Sequence, residues 1–240
     1  MLLEDLACKT KEMVNNIDKF IGIKTTLKNS IPIKYTNISY QNIGYFLKEP
    51  NNFFAIIRNT SAIYTGKKHN KPGYITFYIL PESKEFRESS LFHEVAHFVH
   101  DSHSAPFMPK TFEELTWKSI LMEGFATWIT DQCYTKINRK KTTHINSKNP
   151  FKIPNIFIDN LYSLGNQLFE KVHEKKDIDQ IKKIILNEPE NPIFDTTPLE
   201  KIFNTKNILL KSGKIANYVR CLNNTLIQES DNLAEYLINQ

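Results

Sequence analysis

Leu91-Phe92-His93-Glu94-Val95-Ala96-His97-Phe98-Val99-His100 is the stretch around which the rest of the chain is best understood. It contains His-Glu-x-x-His, in which two imidazoles stand four residues apart. Residues at that spacing lie on one face of a helix, so His93 and His97 can direct their ring nitrogens at a common point. Neutral imidazole suits zinc, and Glu94 stands where it can accept a proton from a water molecule. The motif therefore predicts a helix that carries a zinc site.

The residues around the motif have the periodicity of an amphipathic helix. At about 100° per residue the apolar side chains fall in one stripe, with the histidines on the opposite side. The stripe consists of Leu91, Phe92, Val95, Phe98 and Val99. Such a helix would pack on a core with one face and line a cleft with the other. This pattern favours a metal site over a surface helix that carries histidines by chance.

Length and composition are those of an ordinary globular protein. The chain has 240 residues, of which 40% are hydrophobic and 24% charged, enough for one domain or for two small lobes around a cleft. The net charge of +5 is modest, and the densest basic run, Asn138-Arg139-Lys140-Lys141, is short. A solvated loop explains this run better than a nucleic-acid patch does. We therefore expect no nucleic-acid partner.

The cysteines and the N-terminus bear on the cellular compartment. Cys8, Cys133 and Cys221 are odd in number and widely spaced, so neither a disulfide framework nor a thiolate zinc site is indicated. The N-terminus has acidic residues where a signal peptide would have basic ones, and no apolar run reaches transmembrane length. These features predict a cytoplasmic protein without a membrane partner. A secreted form whose signal has been removed is the alternative.

The remaining sequence predicts strands before the motif and helices after it, from β-branched residues in the first part and helical spacing in the second. The predicted strands are 31–35, 53–57 and 73–80, and the predicted helices are 3–20, a motif helix starting near Ser83, 112–137, 155–175, 177–187 and one from about Lys214. We expect an α+β protein. A small mixed β-sheet and the motif helix would form an N-terminal lobe, residues 1–103, and residues 104–240 a mainly helical C-terminal lobe.

A zinc site needs a third protein ligand, and the sequence offers two candidates. The first is Glu123 in Leu121-Met122-Glu123-Gly124-Phe125-Ala126, because a carboxylate on an apolar helix is costly to bury unless it is paired or bound to metal. The second is His103, which has the ligand spacing of the metzincin proteases. Those proteases have a glycine where this chain has His100, and that glycine lets the chain turn back. Without it His103 lies about 9 Å along the helix from His97, so Glu123 is preferred.

With Glu123 as a ligand, the sequence resembles the gluzincin metallopeptidases and is nearest to their peptidase-MA-like and minigluzincin branch. The resemblance extends over roughly residues 74–172 and rests on His-Glu-x-x-His followed by Glu-Gly-Phe-Ala on a later helix. Tyr162-Ser163-Leu164-Gly165 is similar to a downstream Tyr-x-x-Gly of that group. The chain departs from the pattern at Thr127, where many gluzincins have an aspartate that orients a zinc histidine. Asp131, one turn further, or a different group would have to take that part.

This resemblance implies a zincin-like metalloprotease fold in which both lobes act as a single catalytic unit, with zinc as cofactor and a peptide or protein as substrate. It implies that zinc is bound by His93, His97 and Glu123. Glu94 would activate a zinc-bound water molecule for hydrolysis of the peptide bond. Tyr162 would donate a hydrogen bond to the oxyanion.

Two other interpretations stay open. In the first, the chain is a catalytically silent or latent zincin-fold binding protein whose cleft is plugged by its own N- or C-terminal segment. In the second, it is a metzincin-like protease with His103 as third ligand. A closed structural site that includes His100 has poor geometry, because His100 lies about 10 Å along the helix from His93. In an active form, the strand at 74–79 is expected to border the cleft and to pair with an extended substrate.

Overall fold

The computed structural model describes residues 3–27, 31–37, 62–66, 73–79, 84–104, 110–134, 156–192 and 228–240. Within these ranges the chain is mixed α+β and mostly helical, with one small three-stranded sheet. The chain divides into two units, and none of the described helices is long and apolar enough to cross a membrane. The first unit consists of Met1–Pro106 and Ile129–Ile153, and the second of Phe107–Trp128 and Pro154–Gln240.

The sheet belongs to the first unit and has the strand order β1–β3–β2. Its strands are β1 (Ile33–Asn37), β2 (Ala62–Thr65) and β3 (Tyr74–Ile79). β3 pairs in parallel with β1 and antiparallel with β2, where Tyr64 lies opposite Ile75. Ile75 and Ala62 are fully buried. Because side chains alternate along a strand, Tyr64 shares the buried face of β2 with Ala62.

Helix α1 (Leu3–Ile21) opens the first unit. Val14, Ile17 and Ile21 recur at helical spacing and are at most 1% exposed, so they form its buried face. The helix ends at Gly22, whose φ of 74° is a left-handed conformation that glycine adopts without strain. Helix α1 therefore agrees with the amphipathic helix that the sequence predicts at residues 3–20.

Helix α2 (Lys84–His103) is the motif helix, and it packs against α1, β2 and β3. Four members of the predicted apolar stripe are at most 1% exposed, namely Leu91, Phe92, Val95 and Val99. Phe98 is half-buried instead. The opposite side is also well covered, since His97 is 6% and His100 2% exposed. Helix α2 is therefore not a surface helix.

Two polar contacts join the N-terminal region to α2 across 79 and 78 residues of chain. Lys9 Nζ donates to Glu88 Oε1 at 2.6 Å. Thr25 Oγ1 donates to Asp18 Oδ1 at 2.7 Å and lies 3.1 Å from His103 Nε2. Because the hydroxyl has one proton, which it gives to Asp18, His103 is the donor in the second bond. The first of these contacts is an ion pair, and the second is a partly buried chain of hydrogen bonds.

A π-helical turn, Thr130–Tyr134, also belongs to the first unit and packs against α2. Cys133 and Tyr134 are 5% and 6% exposed. The Tyr134 ring lies 6.1 Å from that of Phe92, centroid to centroid. The turn therefore covers part of the apolar stripe of α2.

The described secondary-structure elements of the second unit are all helices. Its helices are α3 (Phe112–Ile129, whose last residue lies in the first unit), α4 (Ile156–Lys176), α5 (Ile178–Leu186) and α6 (Ser230–Ile238). Helix α4 packs against α5 and α6. Trp117 on α3 donates through Nε1 to the carbonyl of Pro189 at 3.2 Å, and its ring lies 6.2 Å from that of Tyr236. Trp117 thus connects α3 to the C-terminal part of the chain.

The α+β prediction is confirmed, with β1 and β3 close to the first and third predicted strands. The short strand β2 is not among the predicted ones. The expectation that residues 74–79 pair with a substrate is wrong, because β3 is the central strand and is paired on both sides. The predicted strand 53–57 and the start of the last helix near Lys214 lie outside the described residues.

Candidate metal centre

The two motif histidines lie next to each other on α2. Their ring centroids are 4.7 Å apart and the ring planes are nearly perpendicular, at 87°. His93 is half-buried and His97 is buried. One turn of helix separates them, as the spacing in the sequence requires. Of the two imidazoles, that of His93 is therefore the more accessible to solvent.

One group of side chains in the described part of the chain can hold a metal ion, and it consists of His93, His97 and Glu123. Each offers one ligand atom, and these atoms all lie within 4.8 Å of one another. Two imidazole nitrogens and one carboxylate oxygen are a donor set found in catalytic zinc sites, which keep a further position for water. The donor set therefore fits zinc.

His103 is not part of this group. Helix α2 continues through His103 without a turn back toward His97, and His103 Nε2 donates to Thr25 Oγ1 instead. This geometry removes the support for the metzincin-like arrangement. His100 does not belong to the group either.

Glu123 precedes a glycine at which the backbones of α3 and α4 touch. A Cβ atom on Gly124 would lie 2.5 Å from Cα and C of Gly165, and a Cβ atom on Gly165 would lie 2.5 Å from Cα of Gly124. Both helices therefore need glycine at this crossing. The close approach of the two backbones explains both Gly124 of Glu-Gly-Phe-Ala and Gly165 of Tyr-x-x-Gly. Tyr162 lies three residues before Gly165 on α4 and is half-buried.

Aromatic side chains pack beside this crossing. The Phe169 ring lies 5.9 Å from Phe125 and 6.1 Å from Trp128, and all three residues are fully buried. The Trp128 ring also meets His173 at 5.4 Å. Helix α3 thus presents many apolar side chains, as the sequence predicts, and Glu123 is half-buried among them.

Glu94 is held by strand β2. Its Oε2 accepts a hydrogen bond from the main-chain N–H of Tyr64 at 2.5 Å, and the residue is only 8% exposed. The Tyr64 hydroxyl donates to Asp101 Oδ2 at 2.6 Å, and the Tyr64 ring is stacked beside that of His97 with centroids 6.5 Å apart. Burial, this hydrogen bond and the Asp101 charge raise the pKa of the Tyr64 hydroxyl above its ordinary value, so it stays a donor.

Tyr64 and Asp101 are not among the site residues that the sequence predicts. Asp101 could have been predicted from its spacing. It follows His97 by four residues and so lies on the same helix face as His93 and His97. No sequence pattern points to Tyr64, because β2 has only four residues and its pairing depends on residues elsewhere in the chain.

Thr127 stands where gluzincins have an aspartate, and it does not take over that part. It is 3% exposed, and its Oγ1 has no hydrogen-bond partner among the described residues. Asp131, the alternative, lies half-buried in the π-helical turn. At Thr127 the difference from the gluzincin pattern therefore holds for contacts as well as for sequence.

Comparison of the chain with protein-family models, with curated proteins and with solved structures gives no match. What this chain does must therefore be inferred from its own residues and their arrangement.

Proposed function

We propose that this chain is a zinc-dependent metallopeptidase with a zincin-like fold, in which His93, His97 and Glu123 bind the metal ion. The observation that carries the proposal is the proximity of their three ligand atoms, all within 4.8 Å of one another. Glu94, the proposed proton acceptor, adjoins His93 on α2 and is positioned by a hydrogen bond from strand β2. A metal site and an adjacent carboxylate are the two parts that hydrolysis by this mechanism needs.

In the proposed reaction each residue has a separate part. Bound zinc would lower the pKa of water and polarise the carbonyl of the peptide bond. Glu94 takes a proton from the attacking water molecule and passes it to the leaving nitrogen. Tyr162 donates a hydrogen bond to the oxyanion, a part assigned to it by the resemblance of Tyr-x-x-Gly.

The position of β2 supports an extended peptide as substrate. Tyr64 lies opposite Ile75 of β3, but its N–H is bonded to Glu94 and so is directed away from β3. In antiparallel pairing the N–H and C=O of one residue point to the same side of the strand, so the Tyr64 carbonyl is directed away from β3 too. A peptide alongside β2 on that side could bond to the Tyr64 carbonyl, since the Tyr64 N–H is already bonded to Glu94, and would have its backbone next to Glu94. Among the described strands β2 lies at the edge of the sheet, and it replaces β3 as the proposed substrate-binding strand.

The metal part of the proposal is tested by zinc content. The parent protein is expected to contain one zinc ion per chain, and Glu123→Ala is expected to lose most of it, because only two protein ligands remain. His103→Ala is the matched control and should retain zinc like the parent. Metal analysis after dialysis against a weak chelator measures all three proteins. Retention by Glu123→Ala together with loss in His103→Ala would reverse the choice of third ligand.

The catalytic part is tested with Glu94→Gln, whose amide has nearly the shape of the carboxylate but cannot accept the proton. Hydrolysis of a denatured protein or a peptide library should fall by at least about 10²–10⁴-fold, while zinc content and folding stay near parental. Full turnover by this variant would refute the mechanism. If the parent cleaves nothing even after limited proteolysis has removed either terminal segment, the binding-protein interpretation replaces the enzyme.

A further inference from the structure

Tyr64 makes a separate contact with each of four residues on α2. Its main-chain N–H donates to Glu94 Oε2 and its hydroxyl to Asp101 Oδ2, at 2.5 and 2.6 Å. Its ring is nearly parallel to that of His97, at 18°, and meets the edge of Phe98 with centroids 6.2 Å apart. A single residue of β2 therefore touches both the proposed proton acceptor and one proposed metal ligand.

The two hydrogen bonds hold Tyr64 at widely separated points of the helix. Glu94 and Asp101 are seven residues apart on α2, which corresponds to about 10 Å along its axis. Together with the pairing of β2 to β3, the two bonds fix both the position and the direction of Tyr64 on the helix. The bond at the other end of the side chain therefore helps, beside the sheet pairing, to keep the Tyr64 N–H directed at Glu94.

The chain also provides space for the Tyr64 side chain. A Cβ atom on Gly73 would lie 1.9 Å from the Tyr64 hydroxyl oxygen and 2.5 Å from Cζ, so the ring passes directly over bare backbone. Gly73 itself is buried. Asp101, the acceptor of the hydroxyl, is only 5% exposed. In a site with so little solvent, an acceptor for the tyrosine hydroxyl is strongly favoured over none.

We propose that Tyr64 and Asp101 are positioning residues of this site: Asp101 anchors the Tyr64 hydroxyl, and the Tyr64 main chain thereby holds the Glu94 carboxylate in its reactive orientation. This inference rests on the proposed function of Glu94. Neither residue needs to touch the substrate for this purpose. The loss of either should therefore reduce kcat more than it changes KM, because a reacting group displaced by about 1 Å can cost 10²-fold in rate.

The kinetic test uses variants that differ only in the bond between the two side chains. Tyr64→Phe removes the donor, and Asp101→Leu removes the acceptor at similar size. Both should lower kcat by about 10–100-fold with little change in KM or zinc content. Asp101→Asn keeps a carbonyl acceptor and should retain most of kcat. The double variant Tyr64→Phe/Asp101→Leu should be no slower than either single one, since all three lack the same bond.

Tyr74→Phe is the matched control, because Tyr74 lies in the neighbouring strand with its ring under Lys34 Nζ, at 3.7 Å. It should keep parental kcat. Parental kcat in Tyr64→Phe and Asp101→Leu, or an equal loss in Asp101→Asn and Asp101→Leu, would overturn the proposal.

A second measurement does not depend on hydrolysis. The amide proton of residue 64 should resonate far downfield in the parent, because it is bonded to a carboxylate, and should move upfield in Glu94→Gln and in Asp101→Leu. Tyr74→Phe should leave it in place. If the parent proves inactive, the proposed function fails, yet a shift of this resonance in Asp101→Leu still supports the mechanical link. A resonance unchanged by Asp101→Leu would overturn the link whatever the activity.

Discussion

Helices α2 and α3 each carry part of the candidate site, and each is fixed within its own unit by a different kind of contact. Helix α2 is joined to its neighbours by directional hydrogen bonds, from Tyr64 to Glu94 and Asp101 and from His103 to Thr25. Helix α3 touches α4 backbone to backbone and packs through aromatic rings. Hydrogen bonds fix the orientation of particular groups, whereas close packing fixes a whole helix. Disruption of the α3–α4 crossing should therefore cost mainly stability, whereas removal of the Tyr64–Asp101 bond at α2 should change mainly the orientation of single groups.

The strongest way to test this difference is to add a methyl group at the glycine crossing. Gly124→Ala places a Cβ atom 2.5 Å from the Gly165 backbone, which cannot rotate away, so the helices must separate. We expect a loss of about 3 kcal/mol or more, at the upper end of overpacking effects. For a chain of this size that lowers Tm by roughly 6–12 °C. Thermal unfolding followed by circular dichroism measures it.

Gly66→Ala is the control for that substitution. Its Cβ atom would meet nothing closer than 3.9 Å, so the same chemical change should leave Tm within about 1–2 °C of the parent. Equal Tm values for Gly124→Ala and Gly66→Ala would show that α3 and α4 are not in backbone contact.

A smaller loss of stability is expected when a hydrogen-bonded contact of α2, the one between Thr25 and His103, is removed. Thr25→Val removes a hydroxyl that bonds both Asp18 and His103 and leaves those partners partly buried without it. We expect a cost of about 1–3 kcal/mol in the free energy of unfolding. Thr26→Val, at the exposed neighbouring position, should cost almost nothing. Urea denaturation compares the two, and equal midpoints would mean that this connection of the N-terminal region to α2 contributes no stability.

The smallest effect is expected for a polar contact without burial. Lys171 Nζ donates to Asp231, and this bond and the lysine charge lower the pKa of the fully exposed Asp231 carboxyl. Because its folded pKa lies below the ordinary value of 3.8, the contribution to stability exists above that value and disappears as the pH falls through the folded pKa.

Lys171→Met should return the Asp231 pKa to its ordinary value, and Lys175→Met, which removes only a weaker charge effect, should raise it less. An NMR titration of the Asp231 side chain resolves the two. Neither variant should change Tm detectably at neutral pH, because exposed ion pairs contribute little. A larger pKa shift in Lys175→Met would contradict the assignment of Lys171 as the main partner.

Local patterns in the sequence predict the helices and the proposed metal ligands, but they do not predict the long-range contacts. His93 and His97 are four residues apart, so helical geometry alone places them together. Glu123 is conspicuous as a carboxylate among apolar residues. The glycines at 124 and 165 are recognised only as motif letters, because their contact joins positions 41 apart in sequence. Tyr64 cannot be predicted in this way, because a four-residue strand has too few positions to show a hydrophobic period.

The attachment of α1 to α2 has a consequence for synthesis on the ribosome. Lys9 and Glu88 are 79 residues apart, which at ordinary translation speeds corresponds to roughly 4–16 s. During that interval the apolar face of α1, with Val14 and Ile17, is not yet covered by α2. The first unit also includes Ile129–Ile153, which follow the 107–128 segment of the second unit. Its folding is therefore completed only after the ribosome has produced α3.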